Sequence, residues 1–116
     1  MKILAKDLKA GKIKVKVETL DDLWYLSSII EQKDHVAGPT ERKIKIEGGS
    51  ERNQSVFRKT VFMEIEVEKV EFHEYSTVLR ISGKITQGPE DVSRGTYHTF
   101  SIEQGTDITI RKEQWL

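Results

Sequence analysis

The chain has 116 residues, which supports one compact domain with one core and leaves no room for a second. Hydrophobic residues make up 36% and charged residues 33%, and the 19 basic and 19 acidic side chains balance, so a small core under a heavily solvated surface is expected. With no cysteine there are no disulfides, thiolate metal sites or cysteine nucleophile, and no apolar run approaches the roughly 20 residues that span a bilayer.

The run Gly11–Glu18 alternates apolar and charged residues with period two, which predicts a strand with one wet face. Thr19 then caps a helix, with Asp21 and Asp22 near the positive end of its dipole. That helix is predicted over Leu20–Glu31, with Leu20, Leu23, Trp24, Ser27 and Ile30 on the face that packs on the sheet, widened by Leu26 and Ile29. A short strand at His35–Ala37 is broken by Gly38-Pro39, and another follows at Thr40–Ile46.

Gly48–Ser55 holds no apolar residue and reads as an exposed hairpin loop. A long strand follows with Val61, Met63, Ile65 and Val67 on one face, and the shift of parity to Val70 and Phe72 predicts a β-bulge near Lys69. His73–Ser76 turns into a strand through Leu79, Ile81 and Ile85, with Gly83 as a bend point. Gly88–Asp91 is a loop, and the turn Gln104–Asp107 joins final strands at Thr96–Ile102 and Ile108–Lys112. Many short strands with a single early helix argue for a mainly β fold, a small twisted barrel.

Neutrality overall hides local charge. Between Arg42 and Lys59 six basic residues (Arg42, Lys43, Lys45, Arg52, Arg58, Lys59) meet two acidic ones, an excess of +4 that the rest of the chain must offset. Arg and Lys on a hairpin can reach phosphates that a rigid body cannot approach. Phe57, interleaved among them, either stacks on an unpaired base or, sharing parity with Val61, belongs to the core.

Five short words recur in order: Met1-Lys2-Ile3-Leu4, Leu23-Trp24-Tyr25-Leu26, Thr40-Glu41-Arg42-Lys43, Gly95-Thr96-Tyr97-His98-Thr99 and Lys112-Glu113-Gln114-Trp115. Together they resemble the N-terminal domain of the Pelota family, archaeal and eukaryotic factors that rescue stalled ribosomes. The resemblance covers residues 1–116 and implies a single domain, a fragment of a three-domain factor. It implies a barrel similar to Sm proteins, and a loop, here the basic hairpin, that enters the decoding region and mRNA channel of the small subunit. It also implies that a translational GTPase docks on later domains, outside this chain. The codon-reading Asn-Ile-Lys-Ser and peptide-releasing Gly-Gly-Gln words of the related release factors do not occur.

Members of that family have also been described as metal-dependent endoribonucleases, an attribution in dispute. By their clustering where a strand enters a helix, the carboxylate candidates here are Glu18, Asp21 and Asp22, which either hold a divalent cation that activates water or cap the helix. His35, His73 and His98 lack zinc-site spacing, His98 reads as scaffold, its ring packing beside Tyr97 or hydrogen-bonding across a turn, and Trp24 and Trp115 read as core or edge anchors. No glycine pattern marks a nucleotide site, so no cofactor is expected beyond a metal under the nuclease alternative. The expectation is a cytoplasmic, monomeric RNA- and ribosome-binding domain serving no-go and non-stop mRNA surveillance, with no membrane partner. A nuclease and an Sm-like ring-forming RNA chaperone are the alternatives.

Overall fold

Period-two alternation becomes strand along most of the chain. In chain order the elements are β1 (Lys2–Asp7), β2 (Lys12–Lys16), α1 (Leu20–Ile29), β3 (His35–Ile46), β4 (Ser55–Glu71), β5 (Leu79–Gln87), β6 (Tyr97–Ile102) and β7 (Asp107–Arg111). The computed structural model describes residues 1–46, 55–73, 75–90 and 92–115, of which 42–46 and 55–58 are described as backbone alone. The strands pair antiparallel in the order β1-β2-β7-β3-β4-β5-β6.

One apolar cluster gathers the inward positions: Val15 and Val17 beside β2, Leu23, Leu26 and Ile30 from α1, and Val36, Met63, Ile65, Val67, Leu79, Ile81, Ile85, Phe100, Ile102, Ile108 and Ile110 from the sheet. Each such side chain favours burial by about 1.5–3 kcal/mol. Contributions come from β2 to β7 and from α1, so the sheet curves to enclose one shared cluster, with α1 packed against it.

The class is mainly β with one early helix, as expected, and the sheet is open. β1 and β6 are its edges and do not pair with each other, so it is not a closed barrel. A groove of about 430 Å³, lined by Pro39, Thr40, Thr60, His98 and Ser101 among others, separates β6 from the base of the β3–β4 hairpin.

Local details depart from the sequence reading for identifiable reasons. β3 runs without a break through Gly38 and Pro39. Its pairing with β7 ends at Ala37, so Pro39 sits where β3 has a strand on one side only and a missing N–H costs no ladder bond there. Gly38 passes so close to β7 that a Cβ would lie 3.1 Å from the Asp107 carbonyl oxygen. The bulge expected near Lys69 is present as a register shift between Val67 and Lys69.

At Gly83 the strand does not end or turn. β5 continues through it, opposite Val67, and a Cβ there would lie 1.9 Å from the backbone oxygen of Glu66. β1 was not foreseen, because its sequence, KILAKD, lacks alternation and all six of its residues are exposed.

α1 begins as predicted. Thr19 Oγ1 accepts from Asp22 N–H at 3.3 Å while Asp22 Oδ2 accepts from Thr19 N–H at 3.0 Å, a reciprocal capping box. The packing face is narrower than predicted. Within it Leu23, Leu26 and the C-cap residue Ile30 are buried, with Asp22 beside them, whereas Trp24 is 58% exposed and Leu20 43%. The core covers the 23/26/30 stripe and leaves the flank that carries Leu20 and Trp24 to solvent.

Candidate functional site

The β3–β4 hairpin projects from the body as an arm. Its strands pair continuously from His35↔Glu66 to Ile46↔Ser55, but β7 accompanies β3 only to Ala37, and β5 accompanies β4 only from Glu64 onward. Beyond those points the arm is a two-stranded ribbon without flanking strands. Among the described residues Val61, opposite Thr40, is the position farthest along the arm that packs on the core.

Register brings the basic residues together in a way that the sequence alone did not disclose. Arg42 stands opposite Lys59, and Lys43 opposite Arg58. Residues opposite one another share a face, so each face of the ribbon carries a like-charge pair, and such pairs weaken an antiparallel ladder. Lys45 stands opposite Val56. Of these residues Lys59 is exposed, while the side chains of Arg42, Lys43, Lys45, Phe57 and Arg58 lie outside the described residues, as do all of Arg52 and residues 48–54 of the loop expected at Gly48–Ser55, whose last residue, Ser55, instead opens β4. Phe57 stands opposite Ile44, four residues and roughly 13 Å along the strand beyond Val61.

The carboxylates at the start of α1 make specific contacts. Asp22 Oδ2 accepts from the N–H groups of Glu18 and Thr19 at 2.9 and 3.0 Å, and lies 2.8 Å from the Met1 ammonium. Glu18 Oε1 is 3.2 Å from the same ammonium. The ammonium and the two N–H groups hold the Asp22 carboxyl at about 2, below its ordinary 3.8, against the upward effect of burial. The Met1 amine is raised in turn, chiefly by its bond to Asp22. Among the described residues no three His, Asp or Glu side chains are grouped to hold a metal ion.

His98 does not pack beside Tyr97. Its ring meets Phe100 edge-on, with centroids 5.1 Å apart, and its Nε2 lies 3.0 Å from Thr40 Oγ1 across the groove. Trp115 is an edge anchor, its indole N–H donating to the Gly11 carbonyl at 2.7 Å with Lys112 over the ring. Trp24 is instead a surface residue, set edge-on to Tyr25 with centroids 5.4 Å apart.

A second concentration of charge was also missed. Residues 2–16 hold six lysines (Lys2, Lys6, Lys9, Lys12, Lys14, Lys16) and one acid, Asp7, an excess of +5 against the +4 of the hairpin. The signal was the alternation of β2 itself, read there only as a wet face.

A family model described as the Pelota N-terminal domain matches residues 1–116. The pelota homolog of Pyrococcus furiosus is 47% identical over 116 residues, covering 99% of this chain and 33% of the relative. The homolog of Pyrococcus horikoshii is 46% identical with the same coverage. The chain thus spans about a third of the curated relatives it matches. Among solved structures, a model of ribosome-bound archaeal Pelota and ABCE1 superimposes over 100% of this chain and 33% of that one, with a TM-score of 0.76 and 44% identity.

Proposed function

The chain belongs to the Pelota N-terminal domain family, and we propose that it is the part of a ribosome-rescue factor that engages RNA in the decoding region of a stalled small subunit. The observation that carries this reading is the pairing of basic residues on the arm. Register sets Arg42 opposite Lys59 and Lys43 opposite Arg58, and basic residues at such facing positions favour a polyanion beside the ribbon. The two-stranded ribbon has the slender form needed to enter an RNA-walled channel.

The mode of action is occupancy. The arm probes a vacant mRNA channel through phosphate contacts, which are independent of sequence, and the codon-reading word of release factors is absent. A relative 44% identical has been described on the ribosome with ABCE1, which supports the ribosome as partner and rescue in the cytoplasm as the setting. Docking of a translational GTPase would belong to the two thirds of the relatives that this chain does not span. Binding by this domain requires no cofactor, and the domain acts as a monomer.

The test is replacement of Arg52, Arg58 and Lys59 together by Ala. Binding to small subunits should weaken, and the slope of log affinity against log salt should fall by roughly 0.7 to 0.9 per lost phosphate contact. An unchanged slope in a folded variant removes the arm from the RNA surface.

A further inference from the structure

The outer face of β2 carries Lys12, Lys14 and Lys16, all exposed, and across the β1–β2 ladder Lys2 stands opposite Lys16. Successive lysines on the strand are two residues, about 6.7 Å, apart. That spacing is comparable to the distance between consecutive phosphates along an extended RNA strand. The row ends with Lys12 opposite Arg111, at a cleft of about 560 Å³ to which Lys9, Lys33 and His35 also contribute.

Two structural explanations for such a row fail. Lysine often guards a sheet edge against pairing with another chain, but β2 is an interior strand, hydrogen-bonded to β1 on one side and β7 on the other. Nor are the lysines held by acids. Asp7 stands opposite Lys12 and Asp107 opposite Lys16, yet among the described residues Lys2, Lys12, Lys14 and Lys16 make no ion pair. Asp7 Oδ1 instead accepts from the Ala10 N–H at 3.2 Å. The Lys2 and Lys16 pair repeats the like-charge opposition of the arm.

We propose that the outer face of β2, with Lys2 beside it, is a second RNA-backbone contact, separate from the arm, along which one RNA strand lies with successive phosphates against Lys12, Lys14 and Lys16. This rests on the RNA-binding reading above. A domain with two such contacts grips RNA at its body as well as at its tip, so the body is oriented when the arm enters the channel.

The experiment replaces Lys12, Lys14 and Lys16 together by Gln in the 116-residue chain. The probes are a short single-stranded RNA and archaeal small subunits, titrated over a range of KCl concentrations. The log–log salt slope on the single strand should fall by about 0.7 for each lost contact, about 2 in all. The matching triple Arg variant should restore it, and thermal melting should stay within a few degrees of the parent.

A parent that binds both probes while the Gln variant keeps its slope overturns this face and leaves the arm standing. Loss on subunits with unchanged binding to RNA alone assigns the face to a ribosomal protein and also overturns the proposal. Failure of the parent to bind either probe overturns both this inference and the functional reading beneath it.

Discussion

His98 on β6 and Thr40 on β3 meet Nε2 to Oγ1 at 3.0 Å, although β4 and β5 separate their strands in the sheet. Their 58-residue separation makes this a tertiary contact, and it spans the groove between β6 and the base of the arm. It also ties the base of the arm to the body.

Removing either partner should therefore loosen the curl. Thr40→Val should cost about 1 kcal/mol. His98→Ala should cost more, since it also loses the edge-on contact with Phe100, worth about 0.5–1.5 kcal/mol. A double-mutant cycle should give a coupling of at least about 0.5 kcal/mol. Strictly additive losses would show that the two residues act independently.

Trp24→Ala should be mild, about 1 kcal/mol or less, because the ring is 58% exposed. Leu26→Ala, at a position 1% exposed, should cost about 2–5 kcal/mol. Denaturant unfolding of the two variants measures the contrast directly, and the reverse order would mean that α1 packs through its other face.

Stability should depend on pH through the Met1–Asp22 pair. The folded-state value of Asp22 is depressed to about 2, so its contribution is present above the ordinary 3.8 and is lost as pH falls through about 2. The Met1 amine is raised above its ordinary 8.0, so its contribution is complete below that value and fades as pH climbs past it. A Tm plateau between about pH 4 and 8 is expected, with both shoulders flattened in Asp22→Ala. That variant should lose about 1 kcal/mol at neutral pH through the cap.

Gly83→Ala should unfold the domain or cost about 3 kcal/mol or more, since the new Cβ would fall 1.9 Å from the Glu66 backbone oxygen. Gly88→Ala is the control. Its Cβ would find its nearest neighbour, Met63 Cγ, at an ordinary 3.5 Å, and it should melt close to the parent.

Two N–H groups and the Met1 ammonium already converge on Asp22 Oδ2, and the same ammonium lies 3.2 Å from Glu18 Oε1, so a second cation at Glu18, Asp21 and Asp22 would meet a positive charge. Highly purified chain should therefore show no magnesium- or manganese-dependent RNA cleavage that vanishes in the Asp21→Asn, Asp22→Asn double variant. Cleavage that survives repeated purification and is lost in the folded variant would replace the binding reading with a nuclease.

The capping residue Thr19, the start of α1 at Leu20, the parity change that became the bulge after Val67 and the turn before β7 were all legible in the sequence. Each follows from interactions within a few residues: a hydroxyl accepting from the N–H three residues on, or side chains alternating about one strand. The five family words likewise needed no coordinates. The buried residues Leu23, Leu26 and Ile30 of α1 lay within the face read from the sequence, but its width was not legible, because Leu20 and Trp24 fit the same broad stripe and only tertiary packing leaves them exposed. The basic residues were visible along the chain, but their opposition was not: Arg42 faces Lys59, and Lys2 faces Lys16, only once cross-strand register is set. In the arm, register is fixed by apolar packing at the body end of the β3–β4 ladder, where Val36 and Ile65 are buried, a nonlocal constraint, and so the electrostatic faces of the arm were decided by tertiary structure.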